Sequence, residues 1–241
     1  MSFIIGDRFA KYTLPLAHAG LDEKKFALTV VCSSSVSAMS EEIWMIAQPL
    51  TERLFTEDEY LIIEAQSDYR SEFHNGRIYA MSGESSEHSI ISVRVLSLLD
   101  SQLSRRGCTV YNNDMLIRVP SGNNYYPDAS ALCGTAESRK ESGKPQALYN
   151  PTLIVEVLSD STASFDRSTK FEYYQTLSSL QIYVMIAQDR VKVDMVTRLA
   201  NGDWNLHIAT DLDEVLQLPA LNVQLALKDI YLNTLYKPDA L

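Results

Sequence analysis

The sequence predicts a mixed α/β (α+β) protein with one central sheet flanked by helices, and three observations carry that prediction. Hydrophobic periodicity changes from 3.6 residues towards 2 after Gly107. The run "PTLIVEVLS", residues 151–159, is apolar enough to be covered on both faces. A helical segment then separates that run from two further strand-like runs. The core order is helix, three strands, helix, strand, with additions at both ends.

Each element has its own signal. "TERLFTEDEYLIIEAQ" has an acidic first turn and apolar residues at helical spacing, which predicts a helix from about Thr56. "SEFHNGRIYAM" sets Asn75-Gly76 between two short β-prone runs, a type I′ hairpin signal because both central residues must accept positive φ. In "SSEHSIISVRVLSLLDSQLSRRG" a serine cap at Ser85 or Ser86 precedes an apolar face of Ile91, Val95, Leu98, Leu99 and Leu103, and Gly107 closes the helix. Strands follow in "CTVYNNDMLIRVP", alternating at Met115, Ile117 and Val119, then in "YYPDASALCG" and in "PTLIVEVLS". After a helix in "DRSTKFEYYQTL", two strands, "IYVMIAQ" and "RVKVDMVTR", turn at Asp189-Arg190. "DWNLHIAT" is an edge strand and "LKDIYLNTLY" a closing helix.

The chain has 241 residues, 46% of them hydrophobic and 22% charged, enough for one sizeable core. A formal charge of −10 argues against a protein that coats nucleic acid, which requires a broad basic surface, although a local basic rim beside a catalytic site is compatible with it. Cys32, Cys108 and Cys133 have no paired spacing and read as reduced thiols of a cytoplasmic protein. "KKFALTVVCSSSVSAM" has the look of a signal peptide, but its apolar run is too short to span a bilayer and lies more than twenty residues from the first Met. Residues 1–44 therefore read as a poorly ordered leader or as translation from upstream of a true start at Met45. Residues 45–241 read as a single domain.

One carboxylate, Glu156, sits in the middle of the most apolar strand, where an unpartnered charge is costly. Asp128, after Pro127, opens the preceding strand. Carboxylates on neighbouring strands can share a divalent cation through oxygen ligands, and that cation would account for the buried charge. Asp166, Lys170 and Tyr174, at i, i+4 and i+8, share a helical face that can return Lys170 to the site.

Together "YRSEFHNGRIYAMSGES", "YYPDAS" and "PTLIVEVLSDSTASFDRSTKFEYYQTLSSLQIYVMI" closely resemble the Uma2 family (DUF820), a cyanobacterial group within the PD-(D/E)XK superfamily, over about Thr51 to Tyr236. The resemblance implies a restriction-endonuclease-like core preceded by a helix and a hairpin. It also implies hydrolysis of phosphodiesters, DNA above all, with Mg²⁺ or Mn²⁺ held by Asp128, Glu156 and the backbone carbonyl of Val157. Lys170 would serve as a lysine moved from the strand, where Leu158 stands instead, onto the next helix, and Glu72 would be an additional site residue. A homodimer and the absence of a membrane partner are further expectations.

Each residue also has a plainer reading. Asp128 can open a turn, Glu156 can pair with an arginine such as Arg167, and Glu72 can pair across the hairpin with Arg77. Lys170 can be solvated, Asp166 a helix cap, and Tyr173 and Tyr174 packing residues. His88, in the first turn of its helix, reads as satisfying a cap or turn and not as a ligand.

Overall fold

In the computed structural model, residues 11–12, 28–29, 53–81, 83–139, 142–159 and 162–234 are described. The chain divides into two compact units, Met1–Ile46 and Ala47–Leu241. In the first, β1 (Lys11–Tyr12) pairs antiparallel with β2 (Leu28–Thr29). The rest of the expected leader, and Met45, lie outside the described residues.

The second unit starts with α1 (Glu57–Gln66), whose N-cap Thr56 and Glu59 form a reciprocal capping box, as the acidic first turn suggests. The hairpin of β3 (Ser71–His74) and β4 (Arg77–Ala80) follows, with φ of 48° at Asn75 and 79° at Gly76. A side chain at Gly76 would also come within 3.1 Å of Leu54 Cβ, so the position is closed both sterically and conformationally. Next, α2 (Ser86–Leu103), capped by Ser85, buries Ile91, Val95, Leu99 and Leu103, and Gly107 ends it in the left-handed conformation.

Two runs expected as single strands are each divided. A turn at residues 113–114 separates β5 (Cys108–Asn112) from β6 (Leu116–Arg118). Pro127, without an N–H to give to a ladder, separates β7 (Asn124–Tyr125) from β8 (Ala129–Cys133). In each case the two halves join different sheets. One sheet, completed by β9 (Ser138–Arg139) and β10 (Ala147–Leu148), has the order β4-β3-β7-β6-β10-β9.

The other is the expected mixed sheet. Its remaining strands are β11 (Leu153–Leu158), β12 (Ile182–Ala187), β13 (Val193–Arg198) and β14 (Trp204–Ala209), and its order is β14-β13-β12-β11-β8-β5. The β11–β12 pair is parallel and the other pairings are antiparallel. Leu153, Val155 and Val157 of β11 join the core formed with α2, while Ile154 and Leu158 join a second core with Tyr174, Leu177 and Leu180. This two-sided covering explains why the strand lacks a polar alternation. Glu156 belongs to the second face.

The helix after β11 is not uniform: α3 (Ala163–Phe165) and α4 (Phe171–Tyr174) flank a wide π-helical turn, Asp166–Lys170. Such turns are frequent at functional sites. The chain closes with a hairpin that the sequence reading passed over, β15 (Val215–Leu218) and β16 (Val223–Ala226), followed by a single helical turn, α5 (Leu227–Ile230), where a longer helix was expected. No helix of the described residues is long and apolar enough to cross a membrane.

The cysteine expectation is overturned for two of the three residues. Antiparallel pairing of β5 with β8 sets Cys108 opposite Cys133, Cα to Cα 4.1 Å, and the two are disulfide-bonded. Sequence spacing could not show this because the pairing depends on strand register. Closing a loop of 25 residues stabilises by about 3 kcal/mol in the chain-entropy model. Reduction with a thiol is therefore expected to lower the melting temperature by roughly 10 °C. The Cys108→Ser/Cys133→Ser protein should match the reduced protein and no longer respond to reductant.

Candidate active site

The site begins where one sheet hands the chain to the other. Tyr125 belongs to the first sheet and Ala129 to the second, and Asp128 lies in the crossing between them. Pairing of β8 with β11 stops at Ala129 and Val155, so the next backbone group of β11 on that edge, the Val157 N–H, needs another acceptor. Asp128 provides it, with Oδ2 accepting that N–H at 2.6 Å. The carbonyl of Val157 lies on the same edge of the strand.

Glu72, Glu156, Asp166, Lys170 and Tyr174, five of the residues singled out in the sequence, come together here. Glu156 is 4% exposed and Lys170 6% exposed, so neither is a solvated side chain. Lys170 Nζ lies 2.9 Å from Glu72 Oε1, 3.2 Å from Glu156 Oε1 and 3.3 Å from Asp166 Oδ1. The Tyr174 hydroxyl donates to Glu156 Oε1 at 3.0 Å, so this tyrosine, expected only to pack, also holds the central acid. Asp166 is not the helix N-cap: it is buried against Lys170, and its Oδ1 has no hydrogen-bond donor. Glu72 sits opposite Tyr79 rather than Arg77 and accepts the Tyr126 N–H. Arg167 pairs with Asp194 and not with Glu156.

The charges in this cluster do not balance. Burial raises the Glu156 carboxyl well above the usual carboxylate range; Lys170 opposes that shift, and the charges of Asp166, Asp128 and Glu72 add to it. Glu72 is raised chiefly by burial, again against the pull of Lys170. Burial alone would depress Lys170, but Glu156, Glu72 and Asp166 hold its ammonium charged. One ammonium thus faces three carboxylates with a fourth, Asp128, close by. The oxygen-rich donor set and the uncompensated negative charge fit a hard divalent cation.

Sequence reasoning missed two members of the site, Glu84 and His88. His88 Nδ1 lies 2.8 Å from Glu84 Oε2, and Nε2 lies 3.4 Å from Asp128 Oδ2. The backbone N–H of His88 does serve the Ser85 cap, as expected, but the imidazole reaches into the site. Burial pushes the ring pKa down, while hydrogen bonds to Asp128 and Glu84 and their charges override it and raise the pKa to about 10. The ligand atoms of Glu84, His88 and Asp128 lie within 4.8 Å of one another, but with both ring nitrogens directed at carboxylates the histidine orients Asp128 and is itself fixed by Glu84. The available signal was position: His88 falls on the buried stripe of Ile91, Val95, Leu99 and Leu103, where a polar ring needs partners.

A family model, Uma2, described as "Putative restriction endonuclease", matches residues 57–228. The chain belongs to the Uma2 family. That span includes every residue of the site, from Glu72 to Tyr174. Two uncharacterised proteins of Synechocystis sp. resemble this Uma2 chain. One, slr1290, is 35% identical over 175 residues, covering 72% of this chain and 90% of the relative. The other, sll1609, is 34% identical over 158 residues, covering 65% and 88%. A crystal structure described as "a putative nuclease belonging to DUF820" from Anabaena variabilis superposes with a TM-score of 0.60 at 18% identity, over 73% of this chain and 97% of that one. At that identity it establishes the nuclease fold, and the Uma2 membership supports a nuclease-like function.

Proposed function

We propose that this Uma2 protein is a metal-dependent endonuclease that hydrolyses phosphodiester bonds in DNA. The observation that carries the reading is the buried cluster of Glu156, Glu72 and Asp166 around Lys170 beside Asp128, which holds more negative charge than its lysine can offset. Asp128, Glu156 and the carbonyl of Val157 are the residues that would hold Mg²⁺ or Mn²⁺. When bound, such an ion acidifies water and neutralises charge developing on a phosphoryl group.

The chain's own groups do the rest. The Val157 N–H and His88 fix the Asp128 carboxylate. Tyr174 fixes Glu156. Glu72 and Asp166 keep Lys170 charged and hold it beside Glu156, aimed at the place where negative charge develops. Two of the three N–H donors of Lys170 are hydrogen-bonded, to Glu72 and Glu156, while Asp166 faces the ammonium at 3.3 Å as an ion pair without a hydrogen bond. The third donor is the one that can turn to a phosphoryl oxygen.

A second reading, hydrolysis of a smaller phosphorylated substrate, is favoured by the placement of the basic residues. Arg118 is tied to Glu57 and Tyr149, Arg106 to the Asn222 carbonyl and Arg190 to Asp189. Each of these three cations is engaged by a local partner. A cytoplasmic location and a homodimer complete the proposal; the Cys108–Cys133 bond runs against the first, because cytoplasmic thiols are usually kept reduced.

The test is incubation of plasmid and of single-stranded DNA with the protein in Mg²⁺, in Mn²⁺ and in chelator, alongside thermal melts. Metal-dependent nicking is expected, with millimolar Mn²⁺ raising the melting temperature because the ion binds only the folded state, about 2.7 kcal/mol at a hundred times its dissociation constant. Stabilisation without DNA cleavage would transfer the reading to other phosphorylated substrates. Neither effect would leave a nuclease fold used only for binding.

A further inference from the structure

Resting on the nuclease reading, we infer that Arg167 and Lys192 form a second phosphate-binding subsite, one that receives the backbone of the substrate strand beside the scissile bond. Sheet register sets its position. Glu156 pairs with Met185, and Met185 with Asp194, so the three side chains lie in one row on one face of the sheet. Two strand spacings separate Asp194 from Glu156, about 10 Å. Arg167 reaches this row from the same π-helical turn that carries Asp166 and Lys170. Lys192 reaches it from the β12–β13 connection, which leaves the sheet at the C-terminal ends of the parallel strands, the end where Asp128 and Glu156 lie.

The donors at this position are largely unspent. Asp194, 6% exposed, takes Arg167 Nε at 2.9 Å, and Lys192 Nζ stands 3.6 Å from its other oxygen. Among the described residues, Nε is the one nitrogen of the Arg167 guanidinium with a hydrogen-bond acceptor, which leaves the planar fork formed by its two terminal nitrogens without one. Lys192 Nζ has the ion pair alone. Each side chain is 32% exposed. Arg198, by comparison, is consumed by the carbonyls of Leu180, Gln175 and Leu177. The buried carboxylate thus anchors two cations and keeps one positive charge in excess, and a guanidinium fork suits the bidentate geometry of a phosphate. A strand whose scissile phosphate is at Asp128 and Glu156 would meet this pair next along the same row.

The experiment measures binding of a labelled single-stranded oligonucleotide, as a function of salt, to the full chain and to Arg167→Gln, Lys192→Gln and Asp194→Asn, with Mn²⁺ present in an Asp128→Asn background to prevent cutting. The unsubstituted chain is assayed for cleavage in parallel. Each glutamine variant is expected to weaken binding about tenfold near 0.1 M salt and to reduce the salt slope by about 0.7. Asp194→Asn should bind at least as well as the parent, since both cations remain. If Arg167 and Lys192 serve only to neutralise Asp194, the glutamine variants will melt lower with affinity and salt slope unchanged; that result overturns the subsite and leaves the nuclease reading standing. Absence of oligonucleotide binding by the parent also overturns it. Slope losses in a protein that never cuts would keep the subsite and remove the nuclease.

Discussion

Lys170→Met is expected to produce the largest combined loss of stability and activity of any single substitution at this site. Methionine keeps the length of the stem and removes the charge, so Glu72, Glu156 and Asp166 are left facing one another in a buried space with no ammonium between them. Breaking a buried ion pair by deleting one partner costs about 3–5 kcal/mol, which for a chain of this size lowers the melting temperature by roughly 10 °C. Loss of the group that faces the developing charge should reduce cleavage on the order of a hundredfold or more. The substitution deletes none of the proposed metal ligands, so metal binding should survive it. Burial sharpens that expectation: without the ammonium the cluster is more negative, so Mn²⁺ should restore more stability to the variant than it adds to the parent. Melts with and without Mn²⁺ check this, and a variant that melts within 2 °C of the parent in chelator would show that Lys170 is not the counter-ion of the cluster.

Asp128→Ala is expected to abolish both cleavage and the stabilisation by Mn²⁺. The aspartate is at once a proposed ligand, the acceptor of the Val157 N–H and the partner of His88, so its removal orphans two donors. A buried donor left without an acceptor costs about 1–3 kcal/mol, and stability should fall by that amount even in chelator. The contribution of His88 can be separated from that of the metal by comparing His88→Ala, Asp128→Ala and the double variant in chelator. If the histidine acts by holding the aspartate, the losses in melting temperature will be less than additive, as for residues in contact. Additive losses would place His88 outside the arrangement that positions Asp128.

The element order and the acids at the heart of the site were legible in the sequence because local rules govern them. Thr56 and Glu59 announce a helix start, Asn75-Gly76 announces a hairpin, and a glutamate inside a run of β-branched residues announces a buried charge that needs a partner. The family resemblance pointed in addition to Glu72 and to Lys170, which the fold buries together with Glu156. Local rules fail where the chain changes sheets. Pro127 and the turn at residues 113–114 each cut an apparently continuous strand in two, and periodicity is blind to which sheet the next residue joins. The hairpin at Val215–Ala226 and the single turn of α5 were misjudged because their short apolar runs fit either period.

The sequence by itself determined which residues could be buried, which could turn the chain and which acids required compensation. Only the tertiary structure decided who compensates whom. Arg167 and Lys170 are three residues apart and both basic, yet the register of three strands and one widened helical turn sends the first to Asp194 and the second to Glu72, Glu156 and Asp166. A different pairing, β5 with β8, joins Cys108 to Cys133, and the packing of α2 directs His88 onto Asp128 from an apolar helix face. Ion pairs, disulfides and hydrogen bonds act over a few ångströms between residues far apart in the chain, and that proximity exists only once the two sheets and the helices between their strands are packed.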